Sequence, residues 1–237
     1  MELICLKPSR LRNRLLTRSS PASAPPPTPR LPRLVFVLGS QRSGTNAIRQ
    51  SLSLDPYVRG FNERESNRLY EDWKLRPEPE IRPFLLKQPG TVLLKPIKSV
   101  IERPVAEFLA EFDDYYYRAV WIYRDPVLVF GSRSKRWSYL DDVDQFIEEW
   151  NRVNRSALDA GNDRMAIVNY GDLIEDEDVF NRLCTFLEVR GEYLFRRDES
   201  RAYEEIDQED IKRIQQGTTE TLAALDGARA EVTATVA

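Results

Sequence analysis

Apolar positions along this chain follow two rhythms: short runs that are apolar throughout, and longer stretches in which apolar residues return every three or four positions. The runs LVFVL (34–38), TVLLK (91–95), AVWIY (119–123) and MAIVN (165–169) predict strands buried on both faces, and YVRGF (57–61) predicts a shorter one. Helical spacing starts at Asn46. It returns over 63–73, with Leu69, Tyr70 and Trp73 on one side, and over 104–112, with Val105, Phe108, Leu109 and Phe112. Ser138 is placed to cap a long helix carrying Leu140, Val143, Ile147, Trp150 and Ala157, and VFNRLCTFL (179–187) reads as a short buried helix. Pro77, Pro79 and Pro83 predict a loop before 81–87, and Pro89-Gly90 a turn. From Asp207 the chain is polar and helical, with its last ten residues expected to fray. No internal repeat is present.

Strands separated by helices predict an α/β fold: a three-layer sandwich around a central parallel sheet. Ligands in such folds sit beyond the carboxyl ends of the strands. Gly39, Asn62, Lys95, Arg124 and Tyr170 all fall there.

Composition narrows the class. A chain of 237 residues with 41% hydrophobic content can bury a substantial core, and one folded domain over 34–237 is expected. Residues 1–33 differ: PASAPPPTPRLPR holds six prolines in thirteen positions, which sustains neither a helix nor an interior strand, and predicts a disordered tail. This segment carries seven cations against one acid, leaving 28 cations against 37 acids in the remainder. An acidic folded part argues against a nucleic-acid partner. No apolar run approaches the roughly 18 residues that span a bilayer. The two cysteines, Cys5 and Cys184, offer neither a disulfide framework nor zinc spacing, and nothing implies a metal. A cytoplasmic location is the expectation, or an organelle if the Arg- and Ser-rich start is a transit segment. Histidine is absent, so acid–base chemistry falls to Glu, Asp, Lys or Tyr.

The chemistry concentrates in LVFVLGSQRSGTN. A strand ends at Gly39, four residues follow, and Gly44-Thr45 opens a helix, so that backbone N–H groups and the helix dipole converge where a phosphate or sulfate group can bind. The usual nucleotide loop has Gly-Lys-Ser/Thr at its end. Here Thr45 follows Gly44, and the cation inside the loop is Arg42. GSQRSGTN resembles the 5′-phosphosulfate loop of the sulfotransferases that use 3′-phosphoadenosine 5′-phosphosulfate (PAPS), with R-S-G-T where many relatives have K-S-G-T. The resemblance implies that Ser40, Gln41, Arg42, Ser43, Gly44, Thr45 and Asn46 hold the 5′ end of the donor. A second motif, YRDPVLVFGSRSKR, resembles the family's 3′-phosphate element, which implies Arg124 and Ser132, eight residues apart, as its ligands; the plain alternative is a turn with a local ion pair. A third, NYGDLIEDEDVFNRLCTFLEV, resembles the stretch whose tyrosine lies beside the adenine, which implies Tyr170 as a base contact or, more simply, a packing residue.

The cytosolic branch of that family has a histidine after the third strand in a K-T-H pattern; this chain has Lys95-Pro96-Ile97 there. The carbohydrate and bacterial branches use a glutamate near the end of the second strand, which implies Glu63, then Glu65, as general base. Both could equally form an acidic first helical turn. Lys95 matches the family's lysine on the third strand and could hold the sulfonate, or merely snorkel. The expected activity is transfer of a sulfuryl group from PAPS to a hydroxyl or amine of a small-molecule, carbohydrate or other acceptor. A P-loop kinase or a non-catalytic nucleotide-binding relative are the competing readings. Tyr57, Phe61, Tyr70, Trp73, Tyr115, Tyr116, Tyr117, Trp137 and Tyr139 are candidates for an acceptor pocket, and 63–87 for a lid facing it.

Overall fold

The computed structural model describes residues 31–137, 142–195 and 206–235. The basic segment before Leu31, the expected cap Ser138 and its neighbours Tyr139 and Leu140 lie outside the described residues.

Five parallel strands form the central sheet in the order β2-β5-β1-β6-β7: β1 (Arg33–Gly39), β2 (Val58–Asn62), β5 (Thr91–Lys95), β6 (Tyr117–Tyr123) and β7 (Met165–Asn169). Each forms where the sequence predicts a strand. Burial on both faces explains the composition of all but the mostly exposed edge strand β2, and alternate residues of β1 feed two separate cores. Leu34, Phe36 and Leu38 join one cluster, while Val35 and Val37 join the other. The first cluster is covered by α2 (Glu78–Leu85), α3 (Ile97–Glu102), α4 (Val105–Ala110), α5 (Pro126–Ser134), α6 (Val143–Asp159) and α9 (Gln208–Thr235), the second by α1 (Thr45–Leu52) and α8 (Glu177–Leu187). This is the three-layer α/β sandwich expected. The chain leaves β1 for β2 on one side, then crosses to β6 on the other, so the end of β1 is the point where strand order reverses.

Four expectations give way to tertiary geometry. Residues 63–73 are not helical. A two-stranded hairpin, β3 (Tyr70–Glu71) with β4 (Lys74–Leu75), replaces the expected helix. Asn67 Oδ1 accepts from the backbone N–H groups of both Leu69 and Tyr70, a local bond that competes with helix formation. Asp72 and Trp73 carry φ of 49° and 67°, the signs a two-residue type I′ turn requires. Second, the proline-rich stretch is the helix α2, not a loop: Pro77 caps it and Pro79 lies in its first turn, where a missing N–H costs nothing, although Pro83 sits inside. Third, the long helix starts at Val143 with Asp142 as its cap, whose side chain accepts from Asp144 N and Gln145 N. Fourth, α9 is helical as far as Thr235, through most of the last ten residues expected to fray, with 236–237 outside the described residues, and Arg229 ties it to Asp172 at 2.7 Å. The helix expected over 104–112 is the shorter α4, preceded by α3, which the pattern did not reveal. No helix among the described residues is long and apolar enough to cross a membrane.

A fully buried polar contact in the core links sheet to helix. Trp121 Nε1 donates to Asn154 Oδ1 at 3.0 Å, and Asn154 Nδ2 donates to Trp150 O at 2.8 Å, with Asn154 and Trp121 fully buried. Asn154→Ala strands the indole N–H without an acceptor and is expected to cost about 2 kcal/mol, read as a lower urea midpoint at unchanged m-value.

Candidate functional site

The loop after β1 is shaped by close approach. At Gly39, φ is 150°, and a Cβ there would lie 2.5 Å from Ile122 O of the neighbouring strand; at Gly44, φ is 103°, and a Cβ would lie 2.1 Å from the Tyr170 ring. No other residue fits either position without displacing its neighbours. Between them Arg42 holds φ 69°, left-handed without being glycine, at a cost of roughly 1–2 kcal/mol. The loop closes on itself: Ser43 is fully buried, and its Oγ donates to Ser40 O at 2.7 Å. Thr45 is buried as α1 begins, while Asn46 is exposed and Gln41 partly so.

What the loop leaves open matters most. No side chain caps α1, and no acidic residue occupies its first turn. The Ser40 hydroxyl is buried without a hydrogen-bond partner. A helix start without a side-chain cap and an orphaned hydroxyl beside it fit an oxyanion ligand.

Cations gather around this loop. Arg42 Nε donates to Ser132 Oγ at 2.9 Å, a bond that joins the first motif directly to the second across 90 residues of sequence. Partial burial, then repulsion from Arg136 and Arg124, lowers the Arg42 pKa from its ordinary value. The three arginines therefore share one region, and an arriving anion relieves their mutual repulsion. Arg124 follows the end of β6, and its guanidinium carbon lies over the Tyr170 ring, 5.2 Å from the centroid. Its neighbour Asp125 caps α5, its carboxylate accepting from Leu128 N at 3.0 Å. The sequence did not single out Arg136. Its position one helical turn past Ser132 was the available signal.

On the other side of β1, a second group assembles at the ends of β2 and β5. Asn62 pairs with Lys95 in register. Lys95 Nζ is buried and donates to Glu63 Oε1 at 2.8 Å, and Glu63 Oε2 accepts from Ile97 N at 3.0 Å. Glu63 is thus neither in a helical first turn nor free to rotate: a cation and the start of α3 fix both oxygens. Lys95 does not snorkel outward. Tyr70, fully buried, accepts from Lys95 N at 3.3 Å, and burial first of all raises its pKa, so it stays a neutral phenol.

A cleft of about 740 Å³ opens beside this pair, lined by Asn62, Glu63, Arg64, Glu65, Ser66, Glu71, Asp72 and Trp73. Glu65 is exposed on its wall. Of the aromatic candidates, Trp73 faces the cleft while 48% exposed, whereas Tyr70, Tyr115 and Tyr117 belong to the core. The hairpin wall is braced, with Leu75 N donating to Ser99 Oγ at 2.8 Å and Lys98 Nζ to Asp72 O at 2.9 Å.

In three dimensions the chain is similar to a sulfotransferase from Alicyclobacillus acidocaldarius, with a TM-score of 0.60 at 15% identity over 83% of this chain and 95% of that one. It is also similar to the sulfotransferase domain of the Synechococcus PCC 7002 olefin synthase, with a TM-score of 0.55 at 16% identity over 85% and 96% of the two chains. The sulfotransferase domain from the curacin biosynthetic pathway aligns with a TM-score of 0.50 at 17% identity over 80% and 98%. No family model matches the sequence, and no curated protein matches it. The fold is that of these sulfotransferases.

Lys95 depends on its partner. Its side chain is 4% exposed, that of Glu63 18%. Glu63→Gln leaves the buried ammonium without a counter-charge and is expected to lower stability by about 2 kcal/mol, more than Lys95→Met, which leaves Glu63 its bond from Ile97 N and access to water. Urea unfolding of both variants measures the difference.

Proposed function

We propose that this protein is a sulfotransferase that moves a sulfuryl group from PAPS to a hydroxyl or amine of a small-molecule or carbohydrate acceptor. The observation that carries the reading is the Arg42–Ser132 hydrogen bond, which unites the two motifs that resemble the 5′- and 3′-phosphate elements of that family. The shared fold supports it.

In this reading the loop from Ser40 to Asn46 receives the 5′-phosphosulfate: its N–H groups and the Ser40 hydroxyl donate, and Arg42 supplies positive charge. Arginine keeps its proton, so Arg42 acts as an electrostatic clamp where charge develops on the leaving phosphate oxygen. Arg124, with its two-pronged donor geometry, and Ser132 hold the 3′-phosphate. The acceptor enters the cleft beside Glu63. As its oxygen or nitrogen bonds to sulfur, the bond from sulfur to the phosphate oxygen breaks, the acceptor proton passes to Glu63, and 3′-phosphoadenosine 5′-phosphate (PAP) leaves. Lys95, already bound to Glu63, orients the carboxylate and adds positive charge near the sulfonate. Glu65 stands at the cleft wall as the alternative carboxylate.

The first test is titration of the protein with PAP, with ATP and AMP as controls and magnesium omitted. Tight binding that depends on the 3′-phosphate is expected; a preference for ATP with magnesium would instead identify a kinase-like protein. Arg124→Ala is expected to weaken PAP by about two orders of magnitude, as loss of paired charge-assisted bonds implies, with the fold intact. Glu63→Gln should abolish turnover while PAP still binds. Loss of turnover in Glu65→Gln alone would transfer the base to Glu65, and PAP binding without turnover on any hydroxyl or amine acceptor would mark a nucleotide-binding relative.

A further inference from the structure

Within the donor reading above, the tyrosine after β7 was expected to touch the adenine. Its surroundings suit another task. Tyr170 is the first residue of α7 (Tyr170–Glu175), and Asn169 fixes that start by accepting from Gly171 N at 2.7 Å. Three separate parts of the molecule meet its ring. The donor loop presses on it at Gly44, where a Cβ would fall 2.1 Å from Cδ2 and 2.4 Å from Cε2. The guanidinium of Arg124 lies over it at 5.2 Å. Phe195, itself buried and packed on Phe180 and Tyr193, meets it at 6.1 Å with an interplanar angle of 67°.

We propose that Tyr170 is a positioning residue for the 3′-phosphate site: its ring sets the distance between the Gly44 loop and Arg124 and holds the Arg124 guanidinium where the 3′-phosphate arrives. This rests on the PAPS reading, and it assigns Tyr170 a role through Arg124 in place of contact with the base. The reasoning is energetic. Arg124 sits among like charges, since it and Arg136 both act on Arg42. A long side chain with rotatable bonds in such a field swings toward water unless something fixes it, and fixing it only upon binding costs affinity. The electron-rich face of an aromatic ring attracts a guanidinium and restricts it before the ligand comes. The same ring closes on Gly44, so loop and arginine are held by one side chain. Gly44 lacks a Cβ where the ring needs the space.

The experiment separates the two roles by measuring the 3′-phosphate preference, the ratio of dissociation constants for adenosine 5′-phosphate and PAP. It is measured calorimetrically for the wild type, Arg124→Ala, Tyr170→Phe, Tyr170→Leu and the double variant Arg124→Ala/Tyr170→Leu. A positioning role predicts that Tyr170→Phe keeps the preference and Tyr170→Leu lowers it about tenfold, as loss of a desolvated cation–π contact implies. The double variant should be little worse than Arg124→Ala alone, because both changes remove one device. Replacing Tyr170 by pentafluorophenylalanine keeps the shape of the Phe variant but removes its negative face, so a reduced preference is expected there even if the Leu variant folds poorly. Equal weakening of both nucleotides by Tyr170→Leu, added in full to the Arg124→Ala loss, would overturn the proposal in favour of a base contact, and so would an undiminished preference in the fluorinated variant. A wild type that binds both nucleotides equally would refute the PAPS reading itself, a different result from either.

Discussion

The turn out of β1 depends on the absence of two methyl groups. At Gly39 the chain passes so close to the carbonyl of Ile122 that no Cβ can be inserted, and at Gly44 the space belongs to an aromatic ring. The loop and the arginine side of the sheet's carboxyl end are built on these two contacts. The first holds the loop down on β6, the second lets α1 start directly beneath Tyr170, and the segment between them has to carry Arg42 through a left-handed conformation. A backbone so constrained presents its N–H groups in fixed directions, which is the form of preorganisation that an oxyanion rewards.

Charge is arranged against the average. Residues 34–237 carry 37 acids against 28 cations, yet Arg42, Arg124 and Arg136 converge on the loop. Repulsion among them opposes folding locally and is offset when an anion binds, so affinity and local strain are two sides of one arrangement. Across β1 the opposite design holds. Lys95 and Glu63 neutralise each other, and the neighbouring hairpin leans on the same strand through the Tyr70 hydroxyl. One half of the site is left electrostatically hungry, and the other is already satisfied.

Much of this was legible in the sequence. Four of the five sheet strands are where near-continuous apolar runs fall, because burial on both faces leaves little polar character to obscure the pattern; the edge strand β2, VRGFN, is mostly exposed and shorter. The loop was legible because two glycines bracket four residues between a strand end and a helix start; Arg124 and Ser132 were singled out by their spacing, and the structure joins Ser132 to Arg42 instead of to Arg124. Residues 63–73 were not. Leu69, Tyr70 and Trp73 have the spacing of a helix face, but Asn67 satisfies two N–H groups locally, and an Asp-Trp turn lacks the glycine that marks a type I′ hairpin. The Glu63–Lys95 bond was illegible for another reason. Its members are 32 residues apart, and only the register of β2 against β5 brings them together.

The order of strands has a consequence for how such a protein can change. β6 and β7 lie on one side of β1 and carry Arg124, Ser132 and Tyr170; β2 and β5 lie on the other and lead to Glu63, Lys95 and the cleft. The two halves meet at a central strand whose own side chains are entirely interior from Leu34 to Leu38, and helices join them as well, with Val105 N of α4 donating to Ser156 Oγ of α6 at 2.8 Å. Changes at the cleft therefore reach the arginine side by two routes, through β1 and through the core that Tyr70 and Leu75 of the hairpin share with α4, α5 and α6.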